Sequence, residues 1–98
     1  MAVRCSGDCQ LIDATWEKQD FEVELTRQRF SHDDFTISVQ RVPARGSYGL
    51  RYTVTVQNIV THCEVTYRGG QREAWVRRFA VDLAEGAFGR SSGTPART

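Results

Sequence analysis

Three cysteines and two histidines are the side chains of this 98-residue sequence whose chemistry suits metal binding or nucleophilic catalysis. Cys5 and Cys9 are separated by three residues, and Cys63 directly follows His62. A tetrahedral zinc ligand set can be assembled from Cys5, Cys9, Cys63 and either His62 or His32. Structural zinc motifs usually contribute two close ligand pairs, whereas this sequence offers one pair and isolated residues.

The cysteines are therefore interpreted as free thiols, with no metal and no cofactor. A zinc site and an adventitious or regulatory disulfide are the alternatives. Because three is an odd number, the cysteine content favours a reducing cytoplasm over a disulfide-stapled secreted domain. Cys63 falls on the apolar side of an alternating pattern and is interpreted as a small core residue.

Two groups resemble acid–base or nucleophilic machinery at first inspection. His32, Asp33 and Asp34 are adjacent in a polar segment, where neighbouring side chains point in different directions, so they are interpreted as turn residues. His62 and Cys63 would project to opposite faces of a strand, which prevents them from acting as base and nucleophile. The sequence also contains no phosphate loop, dinucleotide fingerprint, zinc-protease helix or nucleophile elbow. No catalytic residue is predicted, and the chain is predicted not to be an enzyme.

Arginine accounts for all the basic residues except Lys18, a bias that is typical of GC-rich bacterial genomes. The net charge of +1 argues against a strong non-specific polyanion binder. Residues 50–98 nevertheless hold seven arginines against four acidic residues. A cluster that could grip phosphates is predicted near the last strand, the helix and one loop. Its members are Arg45, Arg68, Arg72, Arg77 and Arg78.

Alternating apolar and polar residues predict four strands. Phe21, Val23 and Leu25 mark a strand over 20–27, and Phe35 begins a similar strand over 34–41. Two further strands are predicted over 50–58 and 61–68, with a turn at Asn58 between them. A first strand is predicted near residues 11–16. The loop 43–49 contains proline and two glycines and is the longest internal connection.

The periodicity changes to that of a helix over 71–86. An apolar stripe at three- and four-residue spacing is formed by Trp75, Val76, Phe79, Ala80 and Leu83, and Gly86 is suited to end the helix. The fold class predicted is α+β: an antiparallel β-meander of four to five strands, with one C-terminal amphipathic helix packed on one face. The outer face of the sheet is expected to be polar.

Three strands followed by a helix resemble the second half of a double-stranded-RNA-binding domain, which implies nucleic-acid binding. The sequence pattern shows neither the N-terminal helix of that family nor its lysine-rich helix start. No site residue is therefore carried over from that family.

The length allows one domain, predicted over residues 9–89, with a loose head at 1–8 and a disordered tail at 90–98. No apolar run is long enough to cross a membrane, and MAVRCSGDCQ lacks a signal-peptide core. By elimination the chain is predicted to be a small protein-interaction domain, an accessory or self-associating bacterial protein of the cytoplasm. Its partner is an unidentified protein or a second copy of itself, and nucleic-acid binding is the alternative.

Overall fold

The computed structural model describes residues 3–13, 16–42, 51–70 and 75–89. Four strands and three α-helices follow one another in these residues. In chain order they are β1 (Arg4–Gly7), α1 (Gln10–Asp13), α2 (Glu17–Arg27), β2 (Phe35–Arg41), β3 (Arg51–Asn58), β4 (Cys63–Gly70) and α3 (Trp75–Ala84), with a short 3-10 helix at His32–Asp34. The predicted loop 43–49 and tail 90–98 lie outside the described residues.

The strands form one sheet in the order β1-β2-β3-β4. The predicted strands over 34–41, 50–58 and 61–68 correspond to β2, β3 and β4, which are antiparallel neighbours. The α+β fold class, with a mostly antiparallel sheet and a C-terminal helix, is therefore confirmed. The sheet is mixed rather than purely antiparallel, because β1 runs parallel to β2. Parallel neighbours need a long crossover, and here the chain between them contains α1 and α2.

Helix α3 buries Trp75, Phe79 and Leu83 of the predicted stripe, and Val76 and Ala80 are half-buried. The ring of Phe79 lies at the centre of the core and is fully buried. Its centroid is 4.5 Å from that of Phe21 on α2 and 6.4 Å from that of Phe35 on β2. Both long helices therefore cover the same inner face of the sheet.

The strand predicted over 20–27 is wrong, because this segment lies in helix α2. Phe21 and Leu25 are buried as predicted, but residues four apart share a face in a helix as well as in a strand. Val23 distinguishes the two structures, and its side chain is 57% exposed. The glutamates, leucine and glutamine of the segment are also good helix formers.

The N-terminal predictions also need correction. The strand predicted near 11–16 is wrong, because Gln10–Asp13 form helix α1, in which Leu11 and Ile12 are buried. Residues 1–8 were expected to be a loose head, but Arg4–Gly7 form β1. This strand is short and polar, so the sequence carries no alternation signal for it. Pairing with β2 and burial of the preceding Val3 hold it in place.

The turn that positions β4 is organised by Asn58, the last residue of β3. Its buried side-chain oxygen accepts hydrogen bonds from the N–H groups of Val60 and Thr61. The side-chain nitrogen donates to the carbonyl of Phe88, which follows α3. One side chain thus joins the β3–β4 turn to the end of the last helix.

Candidate functional site

The predicted arginine cluster is not assembled on one surface in the described part of the chain. Arg68 is exposed on β4, where it alternates with Tyr67. The ring of Tyr67 contacts Trp75 of α3, so Arg68 projects from the opposite face of the sheet. Arg77 and Arg78 are exposed on α3. The other two members, Arg45 and Arg72, lie outside the described residues.

Arg77 lines a groove of about 770 Å³ between α2 and α3. The α2 side of this groove carries the carboxylates of Glu17, Asp20 and Glu24. Helix α2 as a whole has four acidic residues against two basic ones. An anion approaching Arg77 would therefore meet carboxylates of like charge, which makes the groove a poor phosphate site.

The expected free thiols at Cys5 and Cys9 are wrong, because the two residues form a disulfide with a Cα–Cα distance of 6.1 Å. The chain turns sharply between β1 and α1, and this turn brings the two sulfurs together. Cys63 is free and packs against the core, as predicted. In the described ranges no group of three His, Cys, Asp or Glu side chains is arranged to hold a metal ion.

The two histidines lie in different turns. His32 Nε2 lies 2.8 Å from Thr26 Oγ1 and 2.9 Å from the carbonyl of Glu22, so it ties the 3-10 turn to α2. His62 has a φ of 64° and belongs to the turn before β4, not to the strand. Neither residue lines the groove between α2 and α3.

The feature that the sequence pattern did not reveal is the position of β4 at an edge of the sheet. β4 is eight residues long and has one strand neighbour among the described residues, β3. We call the side of β4 that faces away from β3 the β4 edge. Strand order depends on long-range pairing, so alternation along the sequence predicts β4 but not its place in the sheet.

Hydrogen bonds at the ends of β2 and β3 establish which residues of β3 point their backbone groups toward β4. The direction of the β4 backbone groups then follows. The N–H of Val42 donates to the carbonyl of Arg51, and the N–H of Ile59 donates to the carbonyl of Asp34. These contacts mark hydrogen-bonded pairs at the two ends of the β2–β3 ladder. Such pairs alternate with non-hydrogen-bonded pairs along an antiparallel ladder. Alternate residues of β3, beginning at Arg51, therefore point toward β2, and the others point toward β4.

On β4 the same alternation directs the backbone groups of Glu64, Thr66 and Arg68 away from β3. Their side chains are exposed on the outer face. Thr66 is exposed, and its register partner on β3, Thr55, is half-buried. The hydroxyl oxygens of these two side chains lie 3.0 Å apart. Within the part of the chain that the structure describes, the β4 edge thus presents a regular row of N–H and C=O groups that no other strand pairs, a template for a further strand.

No helix of the described residues is long and apolar enough to cross a membrane. Comparisons with protein-family models, with curated proteins and with solved structures find no match to this chain.

Proposed function

We propose that the chain is a small non-enzymatic protein-interaction domain that binds its partner by strand addition at the β4 edge. The observation that carries the proposal is the outward row of backbone groups at Glu64, Thr66 and Arg68. Backbone N–H and C=O groups gain hydrogen bonds from an added strand, and the flanking side chains provide specificity.

The roles of the chemically versatile side chains support the non-enzymatic part of the proposal. His32 holds a turn, Cys5 and Cys9 are joined to each other, and Cys63 packs against the core. A bacterial source and a cytoplasmic location remain predictions. The Cys5–Cys9 disulfide weakens the cysteine argument for the cytoplasm, because lasting disulfides form mainly in oxidising compartments.

Selection of extended peptides from a displayed random library on the purified chain tests the proposal. Bound peptides should protect the amide hydrogens of Glu64, Thr66 and Arg68 from exchange with solvent. Thr66→Pro removes one outward N–H and should weaken peptide binding about tenfold or more, since each lost ladder contact also disturbs its neighbours.

Thr66→Ala is the matched control, because it shortens the same side chain and keeps the N–H. Tryptophan fluorescence and thermal unfolding should establish that both variants are folded. Peptides that bind both variants equally, or that protect the α2–α3 groove instead, would contradict strand addition at β4.

Nucleic-acid binding is the second candidate, and one observation favours it. From α2 onward the order is helix, three strands, helix, as in a double-stranded-RNA-binding domain, although β1 and α1 come before it. The negative charge of α2 and the separation of Arg68 from Arg77 oppose it. We expect no binding to duplex RNA or DNA tighter than about 10 μM at physiological salt. Submicromolar, salt-sensitive binding that falls when Arg77 and Arg78 become alanine would favour this second function instead.

A further inference from the structure

The partner strand can be specified further if the proposed function is accepted as a premise. We propose that the β4 edge pairs with the β4 edge of a second copy of the chain, antiparallel, about a two-fold axis through Thr66. The proposal is based on the sequence Glu-Val-Thr-Tyr-Arg at 64–68. When a second copy of this segment runs antiparallel to the first, each charged residue lies opposite a residue of the opposite charge.

The backbone is suited to this arrangement. Glu64, Thr66 and Arg68 point their N–H and C=O groups outward, and they are spaced two residues apart. A two-fold axis through Thr66 places Glu64 opposite Arg68 of the second copy and Thr66 opposite its own counterpart. Each of these is a hydrogen-bonded pair, in which both N–H groups and both carbonyls find partners.

On the outer face, the same register places opposite charges across from each other. Glu64 and Arg68 are both exposed on that face, and neither forms an ion pair within the described residues. Directly opposite residues in hydrogen-bonded pairs have Cα atoms about 5.5 Å apart, within reach of these long side chains. The two-fold axis generates the Glu–Arg contact twice.

On the inner face, the register brings apolar groups together. Val65 would lie opposite Tyr67 of the second copy. Val65 is half-buried, whereas Val56, its register partner on the central strand β3, is fully buried. A strand added at β4 would give Val65 the second neighbour that Val56 already has.

Other two-fold registers compatible with the outward backbone groups lack this charge pattern. A shift of four residues would place Glu64 opposite Glu64, or Arg68 opposite Arg68, and like charges directly opposite each other destabilise a sheet. A shift of two residues would pair each charge with a threonine, glycine or histidine. The charges therefore select the register centred on Thr66.

The arrangement is closed, since a two-fold contact uses the β4 edge of both copies. The combined sheet would have eight strands, with β1 at each end. An interface made mainly by one strand pair is small and is expected to be weak, so the dimer should dissociate in the micromolar range or above.

Sedimentation velocity of the full chain over a dilution series, from about 1 μM to 1 mM, tests the dimer and its register. Glu64→Arg and Arg68→Glu should each weaken self-association by about tenfold, because two opposite-charge pairs become like-charge pairs. An equimolar mixture of the two variants should associate as well as the unmodified chain, since every cross-strand pair is again opposite in charge. Gln40→Arg, on the same face but two strands inward and opposite the uncharged Thr53, should leave the dissociation constant unchanged.

The outcomes separate this inference from the proposed function. A chain that stays monomeric at 1 mM, while library peptides still protect the amides of β4, would overturn the second copy as partner and leave strand addition intact. A dimer that is indifferent to both charge reversals, or a mixture that fails to associate, would overturn the register. Absence of both self-association and peptide protection at β4 would overturn both proposals.

Discussion

The two edges of the sheet are built differently. β1 is four residues long, parallel to its neighbour and fastened at both ends. The N–H of Val3 donates to a carboxylate oxygen of Glu22 at 2.9 Å, and the carboxylate of Asp8 accepts from the N–H of Arg41 at 3.0 Å. The disulfide that joins Cys5 to Cys9 closes the turn between these points. β4 is twice as long and antiparallel to its neighbour, and its cysteine, Cys63, is free.

The difference shows two ways of managing an exposed edge. A short strand with cross-linked ends offers little template for pairing, whereas a long strand relies on its side chains to exclude unwanted partners. Charges usually protect such an edge. On β4 the charges are Glu64 and Arg68, placed symmetrically about Thr66, so they disfavour many strands but accept a reversed copy of the same one.

The largest expected effect tests the core that both edges share. Phe79→Ala should lower the free energy of unfolding by about 3–5 kcal/mol, because it removes a fully buried ring that contacts α2, β2 and β4. Denaturant unfolding measures the loss. Val81→Ala, on the same helix but 51% exposed, should cost less than about 0.5 kcal/mol. A loss below about 1 kcal/mol for Phe79→Ala would contradict the packing.

Phe79 also illustrates what the sequence could predict. The α3 stripe has three- and four-residue spacing with no competing alternation, so only a helix satisfies it. In α2 the buried pair, Phe21 and Leu25, satisfies both periods, and the exposed Val23 completes a false strand pattern. An apolar residue on a helix surface is common enough to mislead, because burial is decided by the neighbours and not by the residue.

The candidate site was predictable only in part. The alternation over 61–68 predicted β4 and placed Glu64 on the outer face, but the outermost position of this strand depends on pairing with β3. A disulfide was one of the alternatives, but assigning it to Cys5 and Cys9 required the reversal of direction between β1 and α1. Neither strand order nor such a reversal leaves a periodic signal in the sequence.

Two glycines, Gly7 on β1 and Gly69 on β4, allow the rigidity of the two edge strands to be compared by substitution. Gly7 ends β1 with a φ of +80°, and a Cβ there would lie 2.2 Å from the carbonyl oxygen of Val39. Gly7→Ala should therefore cost about 3 kcal/mol, from backbone strain and a clash with main chain that cannot move aside. At Gly69, near the end of β4, an added Cβ would instead lie 2.2 Å from the ring of Tyr52.

Gly69→Ala should be milder than Gly7→Ala, at about 1–2 kcal/mol, because a side chain can shift where a backbone carbonyl cannot. The shift would still disturb the hydrogen bond that the Tyr52 hydroxyl donates to Glu17. Thermal and denaturant unfolding of the two variants side by side provides the comparison. Equal losses, or a greater loss for Gly69→Ala, would argue against a rigid β1 end.

The disulfide gives a third way to alter the β1 edge. Cys5→Ser combined with Cys9→Ser should lower the free energy of unfolding by about 2 kcal/mol. This is the loop-closure entropy expected for a bridge between residues four positions apart. A reducing agent should produce the same decrease in the unmodified chain. Cys63→Ser is the control, since that thiol is free. If reductant leaves the unfolding midpoint of the unmodified chain unchanged, the bridge does not stabilise β1.

The smallest effect concerns the inner side of β4, where the Tyr67 hydroxyl donates a 2.7 Å hydrogen bond to the carboxylate of Asp82 on α3. Burial, and then the hydrogen bond and charge of Asp82, raise the pKa of Tyr67 far above its ordinary range. The folded chain therefore keeps this proton at a pH where the unfolded chain loses it. The stabilising contribution is fully present below about pH 10, the usual tyrosine pKa, and declines at higher pH.

Tyr67→Phe should accordingly cost about 1 kcal/mol near neutral pH, because Asp82 loses its donor but stays partly hydrated. The difference in stability between the unmodified chain and this variant should shrink as the pH rises above about 10. Denaturant unfolding of both proteins from neutral to alkaline pH measures that difference directly, and other tyrosines cancel in the subtraction. A difference that stays constant across this range would mean that the contact between Tyr67 and Asp82 does not hold β4 against α3.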